Sequence, residues 1–178
     1  MVYLFLAEGF EEIEALCPLD ILRRGGIDIK TVGVTGRYVT GSHGITVRAD
    51  LLPREVRKDA QMLIFPGGMP GSLNLDASPL VTALLKNPSP STHLAAICAA
   101  PLVLGRRGLL QGKKAVCYPG FEHELKGAIP SRKRVVTDGN ITTAVGMGVA
   151  AEFGFKLLSV LRDKGAAEAV AQSAIFKR

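Results

Sequence analysis

The sequence predicts an α/β fold, a mostly parallel sheet with helices on both faces. Two observations carry that reading. Short β-rich apolar runs alternate with helix-like stretches along the whole chain, the pattern that builds parallel strands through covering helices. The chain is also the size of one domain: 178 residues, 47% apolar, with a mean hydropathy of +0.24 and no repeat, low-complexity tract or evident linker. Residues 1–178 are therefore expected to form a single domain.

The elements follow in order. Val2–Ala7 reads as a first strand that stops at Glu8-Gly9. A helix over Glu11–Arg24 ends at Gly25-Gly26, the usual C-terminal signal. Ile29–Val34 is a second strand, and Tyr38–Thr40 with Ile45–Val47 forms a small hairpin around Gly41-Ser42-His43-Gly44. Gln61–Phe65 is a buried strand running into Pro66-Gly67-Gly68, and Leu80–Lys86 is helical. Leu94–Ile97 is a strand followed by a helix from Pro101 to about Arg107. Ala115–Cys117, Val135–Thr137 and Ile141–Ala144 are short strands, and Val149–Arg162 is a closing helix.

Composition excludes several classes. No apolar window reaches the roughly 20 residues of a transmembrane helix. The longest charge-free stretch, Asn87 to Gly105, carries three prolines. The start meets Glu8 without a basic leader, so a cytoplasmic protein is expected. Cys17, Cys98 and Cys117 are odd in number and widely spaced, which argues against a disulfide framework, and no zinc-type spacing is present. The net charge of +6 is dispersed, with Arg132-Lys133-Arg134 the longest basic run, so neither specific nucleic acid nor membrane is an expected partner.

In parallel α/β sheets, sites lie beyond the carboxyl ends of the strands, and three of those ends stand out. At Ile97-Cys98-Ala99-Ala100-Pro101 a cysteine sits where a strand turns sharply into a helix. Free N–H groups and the helix dipole there favour thiolate; the plainer alternative is a small buried hydrophobe. In Glu11-Glu12-Ile13-Glu14 the first two acids suit a helix N-terminus. Glu14 shares a helical stripe with Cys17, Pro18 and Ile21, where burial would raise its pKa and fit it for acid–base work. The alternative is an exposed N-terminal charge. Pro66-Gly67-Gly68-Met69-Pro70-Gly71 lets backbone approach a ligand, as an oxyanion hole requires, yet lacks phosphate-loop spacing. His93 lies roughly 17 Å from Cys98 along an extended strand, His43 falls in a turn, and His123 stands open between a surface and a site role.

Taken in order, Ala7-Glu8-Gly9-Phe10-Glu11-Glu12-Ile13-Glu14, Leu22-Arg23-Arg24-Gly25-Gly26-Ile27, Phe65-Pro66-Gly67-Gly68, Ala95-Ala96-Ile97-Cys98-Ala99-Ala100-Pro101 and Asp138-Gly139-Asn140-Ile141-Thr142-Thr143 leading to Glu152-Phe153 resemble the ThiJ/PfpI superfamily. Within it they are similar to the parkinsonism-associated protein deglycase branch and its bacterial YajL-like members. The resemblance implies a flavodoxin-like three-layer sandwich and a homodimer. It implies Cys98 as nucleophile and oxidisable thiol, Glu14 as its protonated partner, and Gly67, Gly68 and the Ala99 N–H as an anion pocket. It implies no cofactor and no metal. Two departures matter. Ala99 replaces the histidine that follows the nucleophile in PfpI-type peptidases, so peptidase activity falls to a distant third. A branch histidine eleven residues before the matching Asp-Gly has no counterpart, since that position is Gly127.

The expected function is a cofactor-independent glyoxalase or deglycase acting on methylglyoxal, related α-oxoaldehydes or glycated protein. The alternative is an oxidative-stress sensor or redox-regulated chaperone using the same Cys98.

Overall fold

The structure, a computed structural model, describes residues 1–176. Five strands run parallel: β1 (Val2–Leu6), β2 (Ile29–Gly33), β5 (Met62–Phe65), β6 (His93–Ile97) and β10 (Ile141–Ala144). The antiparallel β9 (Val135–Asp138) closes one edge, giving the order β2-β1-β5-β6-β10-β9. Two short pairs stand outside this sheet: the hairpin β3 (Tyr38–Thr40) and β4 (Thr46–Arg48), and β7 (Lys114–Ala115) with β8 (Ile129–Pro130).

The strands alternate their side chains between two cores, as the period of 2 demands. Val2, Leu4, Leu6, Met62, Ile64, Ala95 and Ile97 join one core with α1 (Glu12–Arg24) and α5 (Ala150–Leu161), against which α6 (Lys164–Ser173) packs. Tyr3, Phe5, Leu63, Phe65, Leu94 and Ala96 join the other with α3 (Pro79–Leu85) and α4 (Pro101–Gly105); α2 (Gly71–Asp76) contributes Leu75. Phe5 and Phe65 stack across neighbouring strands at 5.2 Å between ring centres. This is the mostly parallel, doubly covered flavodoxin-like sandwich that the sequence predicts.

Two helices escape the sequence reading. The six-residue α2 follows the glycine-rich turn, and α6 begins where Asp163 accepts the Ala166 N–H at 2.8 Å. The run at Ala115–Cys117 yields only two strand residues, displaced by one, because β7 pairs with β8 instead of entering the central sheet.

What the fold does for the site follows from strand order. β1 neighbours both β2 and β5, so the connections leaving the sheet diverge between β1 and β5 and open a crevice at their carboxyl ends. The chain after β1 leads into α1, the chain after β5 is Pro66-Gly67-Gly68, and the chain after neighbouring β6 is Cys98.

Candidate active site

Glu14 reaches the crevice because Glu11 starts α1 one residue later than the sequence suggests. Its carboxylate accepts the Glu14 N–H at 2.7 Å and acts as the N-cap. Glu14 therefore points inward from the first turn and is only 1% exposed, which removes the reading of a solvated terminal charge. Its Oε2 accepts the Gly67 N–H at 3.0 Å, while Oε1 is buried with no hydrogen-bond partner among the described residues. Burial pushes this carboxyl up to about 7, against the opposing pull of hydrogen bonding to Cys98 and backbone N–H groups; the Glu11 charge adds to the rise.

Cys98 occupies the left-handed region, with φ 64°. A side chain there is strained, and three backbone bonds hold the turn. The Cys98 N–H donates to the Ala144 carbonyl at 2.9 Å, the Tyr118 N–H donates to the Cys98 carbonyl at 2.8 Å, and the Ala100 N–H donates to Ile97 at 3.1 Å. Cys98 is half-buried, where Cys117 is buried. The sulfur lies against the Glu14 carboxyl and faces the N–H groups of Ala99 and Gly68.

Those N–H groups lower the thiol pKa as the turn geometry suggests, but they do not set it. Burial, followed by the charge and hydrogen bond of Glu14, pushes the thiol up to about 12. The helix end adds little, since α4 has only five residues. Thiol and carboxyl thus compete for one negative charge, and each resists ionising while the other is ionised.

Gly67 makes that proximity possible. A Cβ there would collide with Glu14 Oε2 and lie 2.6 Å from the Cys98 Cβ. Its N–H is already given to Glu14, which leaves the N–H groups of Gly68 and Ala99 facing the sulfur.

The remaining candidates separate clearly. His93 is a core residue: its Nε2 bonds Thr142 Oγ1 at 2.8 Å, and burial, with Lys156 nearby, depresses it to about 4. His123 is exposed, with its nearest acid the adjacent Glu124 at 3.7 Å. Glu12 does more than favour the helix start. It is buried and fastens the β3–β4 hairpin, accepting the His43 N–H at 2.7 Å and meeting the His43 ring at 2.8 Å. Glu11, Glu12 and His43 offer ligand atoms within 4.8 Å of one another, yet the Glu12 oxygens are already engaged by this hairpin. Cys17, Cys98 and Cys117 are all free thiols.

Two site neighbours escaped the sequence reading. A Cβ on Gly146 would lie 3.3 Å from Tyr118 Cδ2 and 3.9 Å from Glu14 Oε1, so ring and carboxyl flank one small space. Gly146 follows the carboxyl end of β10, so the strand-end rule, applied to every strand, points to it.

A strained cysteine turn, a buried carboxyl and convergent N–H groups at the switch point of a flavodoxin-like sheet define a cysteine-centred pocket. The chain belongs to the DJ-1/PfpI family, whose model matches residues 1–160. It is 38% identical over 164 residues to Arabidopsis thaliana protein DJ-1 homolog B, covering 89% of this chain and 37% of that protein. It thus spans less than half the length of that relative. A deglycase of Pyrococcus abyssi is 32% identical over 143 residues, 78% of this chain and 86% of its own. The structure of oxidized Toxoplasma gondii DJ-1 superposes with a TM-score of 0.93 at 37% identity, covering 99% of this chain and 98% of that one. Among the described residues no helix is long and apolar enough to cross a membrane.

Proposed function

We propose that the protein is a cofactor-independent glyoxalase of the deglycase type, converting α-oxoaldehydes such as methylglyoxal to hydroxy acids. The observation that carries this is the Cys98–Glu14 pair: a sulfur beside a buried carboxyl held at about 7, with the N–H groups of Gly68 and Ala99 facing it.

Removing one proton from the pair ionises Glu14 before the thiol, and the carboxylate takes the Cys98 proton as the sulfur attacks, leaving a protonated carboxyl beside the reacting sulfur. The sulfur adds to the aldehyde carbon, and the Gly68 and Ala99 N–H groups hold the oxyanion. Glu14 gives its proton to that oxygen and completes the hemithioacetal. As carboxylate it then takes the proton from the former aldehyde carbon, and its return to the neighbouring carbon gives a lactoyl thioester. Water hydrolyses the thioester to lactate and restores the thiol, so the reaction consumes one water and is redox-neutral overall. The named activity of the Pyrococcus relative fits the same chemistry, with aldehyde released from a glycated protein as substrate.

The test is lactate formation from methylglyoxal without glutathione or metal, wild type beside Cys98→Ser. Turnover that vanishes in the variant is expected; equal rates would overturn the assignment. The working form is a homodimer, for which the outer face of α1 offers a half-exposed Ile13 beside partly covered Leu16 and Cys17. Ultracentrifugation at micromolar concentration checks this.

A second reading, redox sensing, draws on the half-open sulfur and on the oxidized state of the Toxoplasma relative. Two peroxides would take Cys98 to the sulfinate with release of two waters.

A further inference from the structure

Beside the reacting pair lies a shallow, open cavity of about 450 Å³ lined by Tyr118, Pro119, Arg134, Val145, Met147 and Val149. Its walls are built, not incidental. The Tyr118 N–H is bonded to the carbonyl of Cys98 itself, so the ring is anchored one residue from the nucleophile's backbone. The ring lies over Gly146, whose missing side chain leaves it and Glu14 Oε1 around a common space. That oxygen is buried and unpartnered among the described residues. Tyr118 and Met147 are each about half exposed in the single chain, 51% and 50%. Arg134 does not make the cavity an anion site: it donates to the Gly148 carbonyl at 3.1 Å and pairs with Glu152 at 3.3 Å, so its charge is matched.

We propose that this cavity is the subsite for the substituent carried by the oxoaldehyde carbonyl, and that Tyr118 selects neutral aromatic groups there over a methyl group. The proposal rests on the glyoxalase reading for its substrate class, but the subsite is defined independently of turnover. A substrate whose aldehyde carbon meets Cys98 points its far end away from the Gly68 and Ala99 N–H groups, towards Gly146. A methyl group leaves Tyr118 and Met147 wet. An aryl ring covers both, with an aromatic contact and a thioether contact that methyl cannot make.

The test uses two thiol reagents of the same chemistry, iodoacetamide and its N-benzyl derivative, with the Cys98 peptide read by mass. Rates are normalised to glutathione, and Cys17 and Cys117 serve as internal references. The benzyl reagent is expected to be favoured at Cys98 by about tenfold, with the preference kept in Tyr118→Phe and lost in Tyr118→Ala. Met147→Ala, which leaves the Cys98 backbone contact intact, should halve it or more. In turnover, kcat/KM for phenylglyoxal over methylglyoxal should follow the same order. A wild-type ratio near one at Cys98 overturns the subsite even if methylglyoxal is consumed. A tenfold ratio without turnover of either aldehyde keeps the subsite and removes the glyoxalase reading.

Discussion

Replacing Glu14 with Gln should stabilise the protein above neutral pH and leave its stability in acid unchanged. In the unfolded chain the carboxyl ionises near its ordinary value of 4.5, whereas in the fold it keeps its proton to about 7. Between those values the folded state binds the extra proton, so this group's contribution falls as pH rises through the window and stays low above it. Holding an ionised Glu14 in place at about pH 8 thus costs about 3 kcal/mol. Gln has the same shape, its oxygen still accepts the Gly67 N–H, and it carries no charge. Thermal unfolding of Glu14→Gln should therefore exceed wild type by roughly 6–12 °C at about pH 8 and match it at about pH 4. Cys98 does not disturb the comparison, since its thiol is protonated in both states at either pH. Equal or lower stability of the variant at the higher pH would show that Glu14 sits in its pocket without strain and would refute the argument.

Two further predictions concern the two ends of β6. Cys98 stands at φ 64°, where a Cβ costs roughly 1–2 kcal/mol, so Cys98→Gly should unfold at higher urea than Cys98→Ala by about 1 kcal/mol, against the usual order of those residues; the reverse order would deny the strain. His93 is a base depressed to about 4 from 6.5 mainly by burial. Folded His93 refuses a proton that the unfolded chain accepts, so stability present above pH 6.5 should fall by up to about 3 kcal/mol on the way to pH 4. His93→Val should flatten that limb in urea titrations, with Thr142 still bonded to Thr137 at 2.8 Å.

The fold was legible because its signals are local. The turns at Gly25-Gly26 and Pro66-Gly67-Gly68 and the apolar runs between them mark strands and helices within a residue or two of their observed limits. Missing α6 has a definite cause: Lys164–Ser173 is rich in alanine and buries only the small Ala167, so no stripe of large apolar residues marks it, and its one clear signal is the capping Asp163. In the candidate site, type and position marked Cys98 and Glu14 as candidates, each beside a plainer alternative, one at a strand end and one on an apolar stripe; the structure buries Glu14 and brings the two together. Tyr118 and Gly146 were not so marked, because neither is a reactive type and only tertiary pairing, Tyr118 N–H to Cys98 and β10 beside β6, brings them there. The sequence set Glu14 apart from Glu12, two residues earlier, but did not show that Glu12 fastens the β3–β4 hairpin. Helix geometry turns adjacent acids by about 200°, so one meets the hairpin and the other the crevice.

The electrostatics of the pair explain why the site needs both its glycine and its carboxyl. A cysteine facing two N–H groups at a strand end is still a poor nucleophile if burial holds the thiol high, as it does here. A carboxylate alongside makes matters worse while it is charged. The same carboxyl, once protonated, becomes a hydrogen-bond donor to sulfur, and the opposition turns into support. That reversal requires the carboxyl itself to be hard to ionise, which its burial provides, and contact between the two groups, which only a residue without a Cβ at position 67 permits. Removal of either condition leaves two groups that are each individually inert at neutral pH. Gly67→Ala should therefore slow Cys98 alkylation at about pH 6, where Glu14 still holds its proton, even where circular dichroism shows the fold intact, because it separates the sulfur from its hydrogen-bond donor. An unchanged alkylation rate in a folded Gly67→Ala protein would mean that Cys98 ionises without help from Glu14, and that the N–H groups of Gly68 and Ala99 suffice.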